Sequence, residues 1–307
     1  MRSHSAKAVP CLFITLIASA VFGQQMVVVT PEETEEILAN PGIGWETFHQ
    51  TSKHDRNLPL WIPSTVQYAR WGWGELEPKP GKLNTELLDK TLKEAHESDQ
   101  KLAFRVMCCS PSRISPYHPK WLKAVGGKEL VADYSGHAPT IIPDMDDPVV
   151  LDRHLDFIKR LGERYDGHSD IAHIDLGSIG WWGEWHLSSS KTCKLPTLES
   201  RMKVVDAYLA AFKKTPLIML IGASECLKYA CAHGTGWRAD CLGDMGGFTK
   251  TWCHMCNAYP NRITEARIED VWKTAPVAWE TCWDMRKWVS TSTSKACDRW
   301  LARNDGQ

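Results

Sequence analysis

The stretch Ile171-Ala172-His173-Ile174-Asp175-Leu176-Gly177-Ser178-Ile179-Gly180-Trp181-Trp182-Gly183-Glu184-Trp185-His186 begins as an apolar, β-prone run and ends in small residues and indoles around one carboxyl. Runs of the same kind recur at 42–48, 65–71, 102–107, 217–221, 237–242 and 276–280. Each is short and apolar, as a strand buried on both faces is. Between them lie longer stretches at 84–98, 148–165, 198–213 and 263–273 with helical spacing; in the first, Leu87, Leu88, Leu92 and Ala95 share a face. Strands alternating with helices predict an α/β fold with a parallel sheet, and seven such units favour a TIM-barrel-like (β/α)8 architecture over an open sheet. No GxGxxG or Walker-type loop follows any run, which removes the nucleotide-binding open sheets.

The seventh run ends near Glu280 with 27 residues beyond it, and 287–301 reads as a polar segment or helix, so strand eight is not evident. Three explanations stand, in this order: a fragment of a longer protein, a split pair among the seven runs, or a degenerate barrel.

Composition narrows the function classes. Lys and Arg number 36 against 37 Asp and Glu in 307 residues, so no basic surface for nucleic acid is expected. Tryptophan is in excess, with 15 copies against 7 Phe and 7 Tyr. At the N-terminus Arg2 and Lys7 precede the apolar run 12–22, and Gly23 follows it. That is the pattern of a signal peptide over 1–23, leaving 24–307 as one domain that is secreted, in the periplasm or outside the cell. The run is too short to cross a bilayer about 30 Å thick, so no membrane span is expected after cleavage.

Ten cysteines lie beyond residue 23, an even number that suggests disulfides in an exported chain. Five of them fall between Cys226 and Cys256, which predicts a cross-linked excursion there. The competing reading of Cys241, Cys253, His254 and Cys256 is zinc, since one CxxC turn offers two thiolate ligands.

Barrel chemistry sits at the carboxyl ends of the strands. Two of the runs end there in a glutamate set among indoles: Glu184, and Glu280 in Pro276-Val277-Ala278-Trp279-Glu280-Thr281-Cys282-Trp283. Indole walls lower the local dielectric and raise a carboxyl pKa towards that of a general acid. Two converging carboxyl groups suit glycoside hydrolysis, as acid/base and nucleophile when about 5 to 5.5 Å apart. The tryptophans then have a use, because indole faces stack on sugar rings; Trp61, Trp71, Trp73, Trp181, Trp182, Trp185, Trp279 and Trp283 are the candidate subsites. Glu46, at the end of the first run, and His186 are further candidates for sugar contacts, as are His49 and His118, while His173 inside a run reads as a core residue. Asp240 and Asp244 flank the sixth run, where pairing with Arg238 explains either one. Glu75 and Glu77 precede a Pro-rich turn and read as turn or surface groups, with Glu77 an anchor for the loop. Absence of a GxSxG elbow leaves a serine esterase unsupported.

The segment Trp73-Gly74-Glu75-Leu76-Glu77-Pro78-Lys79-Pro80-Gly81-Lys82-Leu83-Asn84, followed by Leu88-Asp89 and by Lys101-Leu102-Ala103-Phe104-Arg105-Val106, resembles the second and third βα units of retaining barrel glycosidases of the bacterial β-galactosidase type. The resemblance runs from Asn40 to about Trp283. It implies Glu184 as acid/base, Glu280 as nucleophile, and Arg70 as the arginine that keeps the nucleophile ionised. Where such enzymes carry an Asn-Glu pair, this chain has Gly183-Glu184.

The expectation is therefore an exported retaining glycoside hydrolase with a carbohydrate substrate and no cofactor or metal. Its catalytic residues are Glu184 and Glu280, and its substrate contacts are Glu46, Arg70, Trp71, Trp182, Trp185, His186, Trp279 and Trp283. A noncatalytic carbohydrate-binding barrel is the alternative, suggested by Gly183, and a zinc protein is the third.

Overall fold

The computed structural model describes residues 28–30, 32–35, 38–56, 63–111, 116–244 and 253–281. Residues 1–23, expected as a signal peptide, and Trp61, Cys282, Trp283, Cys297 and the segment 287–301 lie outside the described residues. The chain divides into Met1–Glu36 and Ile37–Gln307, and every element named below lies in the second. They are β1 (Glu46–Phe48), β2 (Val66–Gly72), α1 (Trp73–Leu76), α2 (Thr85–His96), β3 (Lys101–Met107), β4 (Glu129–Ala132), β5 (Thr140–Pro143), α3 (Pro148–Tyr165), β6 (Ile171–Asp175), α4 (Leu198–Ala211), β7 (Leu217–Leu220), α5 (Glu225–Ala232), β8 (Gly236–Leu242), α6 (Tyr259–Ala266) and β9 (Val277–Thr281).

Seven strands form one parallel sheet in the order β1-β2-β3-β6-β7-β8-β9, while β4 and β5 pair as a separate antiparallel hairpin. This is the strand order of a (β/α)8 barrel with no eighth strand among the described residues. Laid flat, the five spacings from β2 to β9 would separate them by about 24 Å. Yet Arg70 on β2 pairs with Glu280 on β9, and Glu46 on β1 lies 3.9 Å from His173 on β6. The sheet is curled on itself.

Period-two alternation sorts its faces. Ala69, Trp71, Leu102, Phe104, Val106, Ile174, Met219, Trp237 and Ala239 join Leu88, Leu92, Phe157, Ile158, Val204 and Tyr208 from the helices in the main core. Burying each of the larger side chains contributes about 1.5–3 kcal/mol. On the opposite face Tyr68, Arg105, Asp175 and Arg238 meet one another. The barrel interior is charged.

Helix α3 starts where Asp147 accepts a hydrogen bond from the Val150 N–H at 3.1 Å and Pro148 supplies a preset φ. Gly162 then lets α3 approach α4, because a Cβ there would sit 2.4 Å from the Ala211 carbonyl oxygen. No helix of the described residues is long and apolar enough to cross a membrane.

Several local expectations are corrected. The helix expected over 263–273 is α6, which starts earlier behind Pro260 and stops where Arg267 adopts the left-handed conformation at φ 58°. The expected excursion between Cys226 and Cys256 holds regular structure, α5 and β8. Cys253 and Cys256 are joined by a disulfide, which leaves no thiolate pair for zinc. Cys241 is also disulfide-bonded, whereas Cys108, Cys109, Cys193, Cys226 and Cys231 are free thiols. Cys226 and Cys231 sit five positions apart on α5, which places them on different faces of one helix.

Candidate active site

The carboxyl ends of β2, β3, β6, β8 and β9 place Arg70, Arg105, Asp175, Arg238, Asp240 and Glu280 around one space. Register explains the layering: Arg70 pairs with Arg105, and Arg105 with Asp175, on successive strands. Residues level in register on the same face are neighbours.

Glu184 reaches this layer from the loop after β6. Positive φ values at Ser178 (35°), Gly180 (78°), Trp182 (51°), Gly183 (74°) and Trp185 (55°) wind that loop tightly. It is pinned by backbone hydrogen bonds from Trp181 to His186 at 2.8 Å, from Glu184 to Trp181 at 2.8 Å and from Trp185 to Ile179 at 2.9 Å. Left-handed non-glycine residues cost about 1–3 kcal/mol each and cluster where a functional side chain must be aimed. Gly183 has no room for a side chain, since its Cβ would lie 2.9 Å from the Cα of Gly177. Gly177 is tighter still, with Val106 O only 2.1 Å from a would-be Cβ.

Oxygen atoms of Glu184, Asp240 and Glu280 all lie within 4.8 Å of one another. Arg70 and Arg238 both hold the Glu280 Oε2 atom. Glu184 Oε1 accepts from Arg105 Nη2 at 3.3 Å and lies 3.9 Å from Arg238 Nη1, while its Oε2 faces His186 Nε2 at 3.6 Å. Asp175, fully buried, accepts from the Tyr68 hydroxyl at 3.0 Å and lies 3.5 Å from Arg105 and 3.4 Å from Arg238. Asp240 pairs with Arg238, as its position in the sequence suggests.

These contacts set the protonation states. Burial alone would push Glu184 up, but the His186 hydrogen bond and the Arg105, Arg238 and Arg70 guanidiniums hold it at about 2. Glu280 is held below its ordinary value in the same way: burial opposes, and Arg70, Arg238 and Arg105 prevail. Asp240 goes the other way, pushed up to about 6 by burial and by Glu184 and Glu280, with Arg238 opposing. The expectation that indole walls raise the Glu184 pKa is therefore corrected, because His186 and three guanidiniums together outweigh burial.

Of the residues expected from sequence, Glu184, Glu280, Arg70 and His186 come together. Trp182 stands beside them, half-buried, 6.0 Å from the His186 ring and 5.5 Å from Tyr134. Glu46 lies one layer off, against His173. Trp71 and Trp185 are corrected: both are enclosed in the main core, Trp185 donating its indole N–H to Leu176 O at 2.5 Å. Trp73 and Trp181 are fully buried as well. Trp279 faces away from Glu280, as alternation requires, and packs edge-on against Trp237 at 5.4 Å and Tyr259 at 6.0 Å. His118 is buried against Glu129 of the hairpin at 3.0 Å. Glu77 is no surface group but a fully buried anchor, accepting from Trp73 Nε1 at 2.8 Å, Gly81 N at 2.7 Å and Arg160 Nη2 at 2.7 Å.

The sequence reading did not identify Tyr68, Arg105 or Asp175 as site residues, and it left Arg238 as a structural partner. The signal was available in the alternation: these positions lie two apart from, or level with, Arg70 and Glu280 on one face.

No protein-family model matches the sequence, and no curated protein matches it. Solved structures similar to this chain include the β-galactosidase of the psychrophile Marinomonas ef1, with 14% identity and a TM-score of 0.39 over 59% of this chain and 37% of that one. Xylanase 10B of Thermotoga petrophila has 12% identity and a TM-score of 0.41 over 78% of this chain and 58% of its own. Endo-glycoceramidase II of a Rhodococcus species has 11% identity and a TM-score of 0.41 over 76% and 64%. The chain thus spans between 37% and 64% of the length of these three.

Proposed function

We propose that this chain is an exported retaining glycoside hydrolase that binds an oligo- or polysaccharide in the mouth of its curled sheet. The observation that carries the reading is the approach of Glu184 and Glu280 oxygens to within 4.8 Å, one from the loop after β6 and the other from β9. A pair this close suits direct attack by one carboxylate on the anomeric carbon, leaving no room for the interposed water of an inverting enzyme.

Glu280 is the nucleophile. Two guanidiniums on one of its oxygens keep it ionised and fix its orientation. It attacks the anomeric carbon as the leaving oxygen is protonated, and water then hydrolyses the glycosyl-enzyme with retained configuration. Glu184 occupies the acid/base position, and Trp182 and His186 supply the adjoining aromatic wall. Neither step calls on a cofactor. A divalent cation between Glu184, Asp240 and Glu280 is disfavoured by charge, since it would sit against Arg70, Arg105 and Arg238.

The second reading, a noncatalytic carbohydrate-binding barrel, is favoured by the low Glu184 pKa, which denies that group a proton at neutral pH. Turnover of phenyl and 2,4-dinitrophenyl β-glycosides of galactose, glucose, xylose and mannose separates the two. Hydrolysis with retention, followed by proton NMR and abolished in Glu280→Ala, supports the enzyme. Sugar binding with no turnover, unchanged in Glu184→Gln, supports the binding protein.

A further inference from the structure

We infer that Asp240, at the end of β8, is a third catalytic carboxyl of this site and the one that carries the proton given to the leaving group, from its placement within 4.8 Å of the Glu184 and Glu280 oxygens and its reliance on a shared guanidinium. The inference rests on the glycosidase reading.

Asp175, Glu184, Asp240 and Glu280 face Arg70, Arg105 and Arg238, four acids against three permanent cations. One proton makes these seven groups neutral, and the cost of unpaired charge at low exposure favours its uptake.

Partners decide which acid holds it. Glu280 has two guanidiniums on one oxygen. Glu184 has Arg105, Arg238 and His186. Asp175 has Arg105, Arg238 and the Tyr68 hydroxyl. Among the described residues only Arg238 pairs with Asp240, and Arg238 also serves the other three. Burial raises the Asp240 pKa to about 6, with Arg238 and Arg105 opposing and Glu184 and Glu280 assisting; Tyr259 also meets this residue, its hydroxyl accepting from the Asp240 N–H at 3.2 Å.

Access agrees. The Asp240 side chain is 23% exposed whereas Asp175 has no exposure, so only the former reaches a bound sugar. Arg238 Nη1 is buried without a hydrogen-bond partner, 3.9 Å from Glu184 Oε1.

The step balances. The Asp240 O–H proton passes to the glycosidic oxygen, which takes the electron pair of the breaking bond to the anomeric carbon, while a Glu280 oxygen forms the new bond there. Water then gives a proton to the Asp240 carboxylate as its oxygen attacks the anomeric carbon, and Glu280 departs as a carboxylate. Glu184 stays an anion throughout, stabilising the positive charge that develops on the sugar.

Leaving-group dependence tests this with the full chain and the aryl glycosides named above. In Asp240→Asn, kcat/KM on phenyl glycosides is expected to fall by about 10²–10⁴, the usual worth of general acid catalysis, but less than about tenfold on dinitrophenyl glycosides, whose leaving group needs no proton. Azide should restore turnover with a retained glycosyl azide as product. Glu184→Gln should slow both substrates alike. If Glu184→Gln shows the leaving-group dependence and Asp240→Asn does not, the inference is overturned and the glycosidase reading survives. Wild-type protein inert on every glycoside overturns both. Should Asp240→Asn fail to fold, carboxyl ¹³C titration of Asp-labelled wild-type protein decides, and an aspartate titrating near pH 6 is required.

Discussion

Arg70 on the second strand of the sheet holds Glu280 on the last, bridging elements that neighbour each other only because the sheet curls. The ion pair closes the site and lowers the pKa of its proposed nucleophile in one contact.

Arg70→Met should therefore move the acidic limb of kcat/KM to higher pH. Glu280 has a folded pKa below its ordinary value, so the active carboxylate is lost only as pH falls through that lowered value. Removing one of its guanidiniums raises the value and shifts the limb upward, which a pH–rate profile reads directly. An unmoved limb would leave Arg238 as the residue that matters.

Stability should carry the signature of Glu184. Its pKa is held near 2 against an ordinary 4.5 by His186 and the three guanidiniums, so its ionisation stabilises the folded state. The sign is that of a depressed acid: the contribution is complete above pH 4.5 and lost as pH falls towards 2. Urea unfolding of wild type and Glu184→Gln should give curves that converge through that window. Asp240 acts with the opposite sign, its penalty growing as pH rises from 3.8 to about 6, so Asp240→Asn should gain stability relative to wild type above pH 6.

Tryptophans should divide by face. Trp185→Ala, emptying a core position, is expected to cost about 3–5 kcal/mol. Trp182→Ala should cost far less and instead raise KM, since its ring is half-buried beside His186. Thermal unfolding with parallel kinetics checks both.

Glu77→Ala leaves the Trp73 indole N–H and the Gly81 amide without their acceptor and Arg160 with Asp156 as its remaining partner. Breaking a buried ion pair from one side costs about 3–5 kcal/mol. A loss below 1 kcal/mol in urea would show that water replaces the carboxylate.

The strands and the charged site differed in legibility. All seven expected runs became strands of the sheet, within a few residues at each end, because each is a short apolar segment between breakers. The hairpin of β4 and β5 escaped notice, since four-residue strands with exposed Leu130, Val131 and Ile141 carry no distinguishing pattern. At the site, Glu280 lies on the strand expected to carry it, whereas Glu184 comes from the loop after β6 rather than from a strand end. Tryptophan misled because adjacency was read as proximity: Trp71 follows Arg70, and Trp279 precedes Glu280, so both lie on the opposite face. The pairing of Arg105 with Asp175 was hidden because they are 70 positions apart and meet only through register.

The fit of Gly183 against Gly177 reaches into the design of variants. An engineer who wanted to give this barrel the asparagine that resembling enzymes carry beside their acid/base glutamate would find the exchange closed at the level of a codon. The new side chain would meet backbone, and the loop from 177 to 186 would have to be recast with it. Under the proposed function, a sugar would have to be held at this point by groups arriving from another direction.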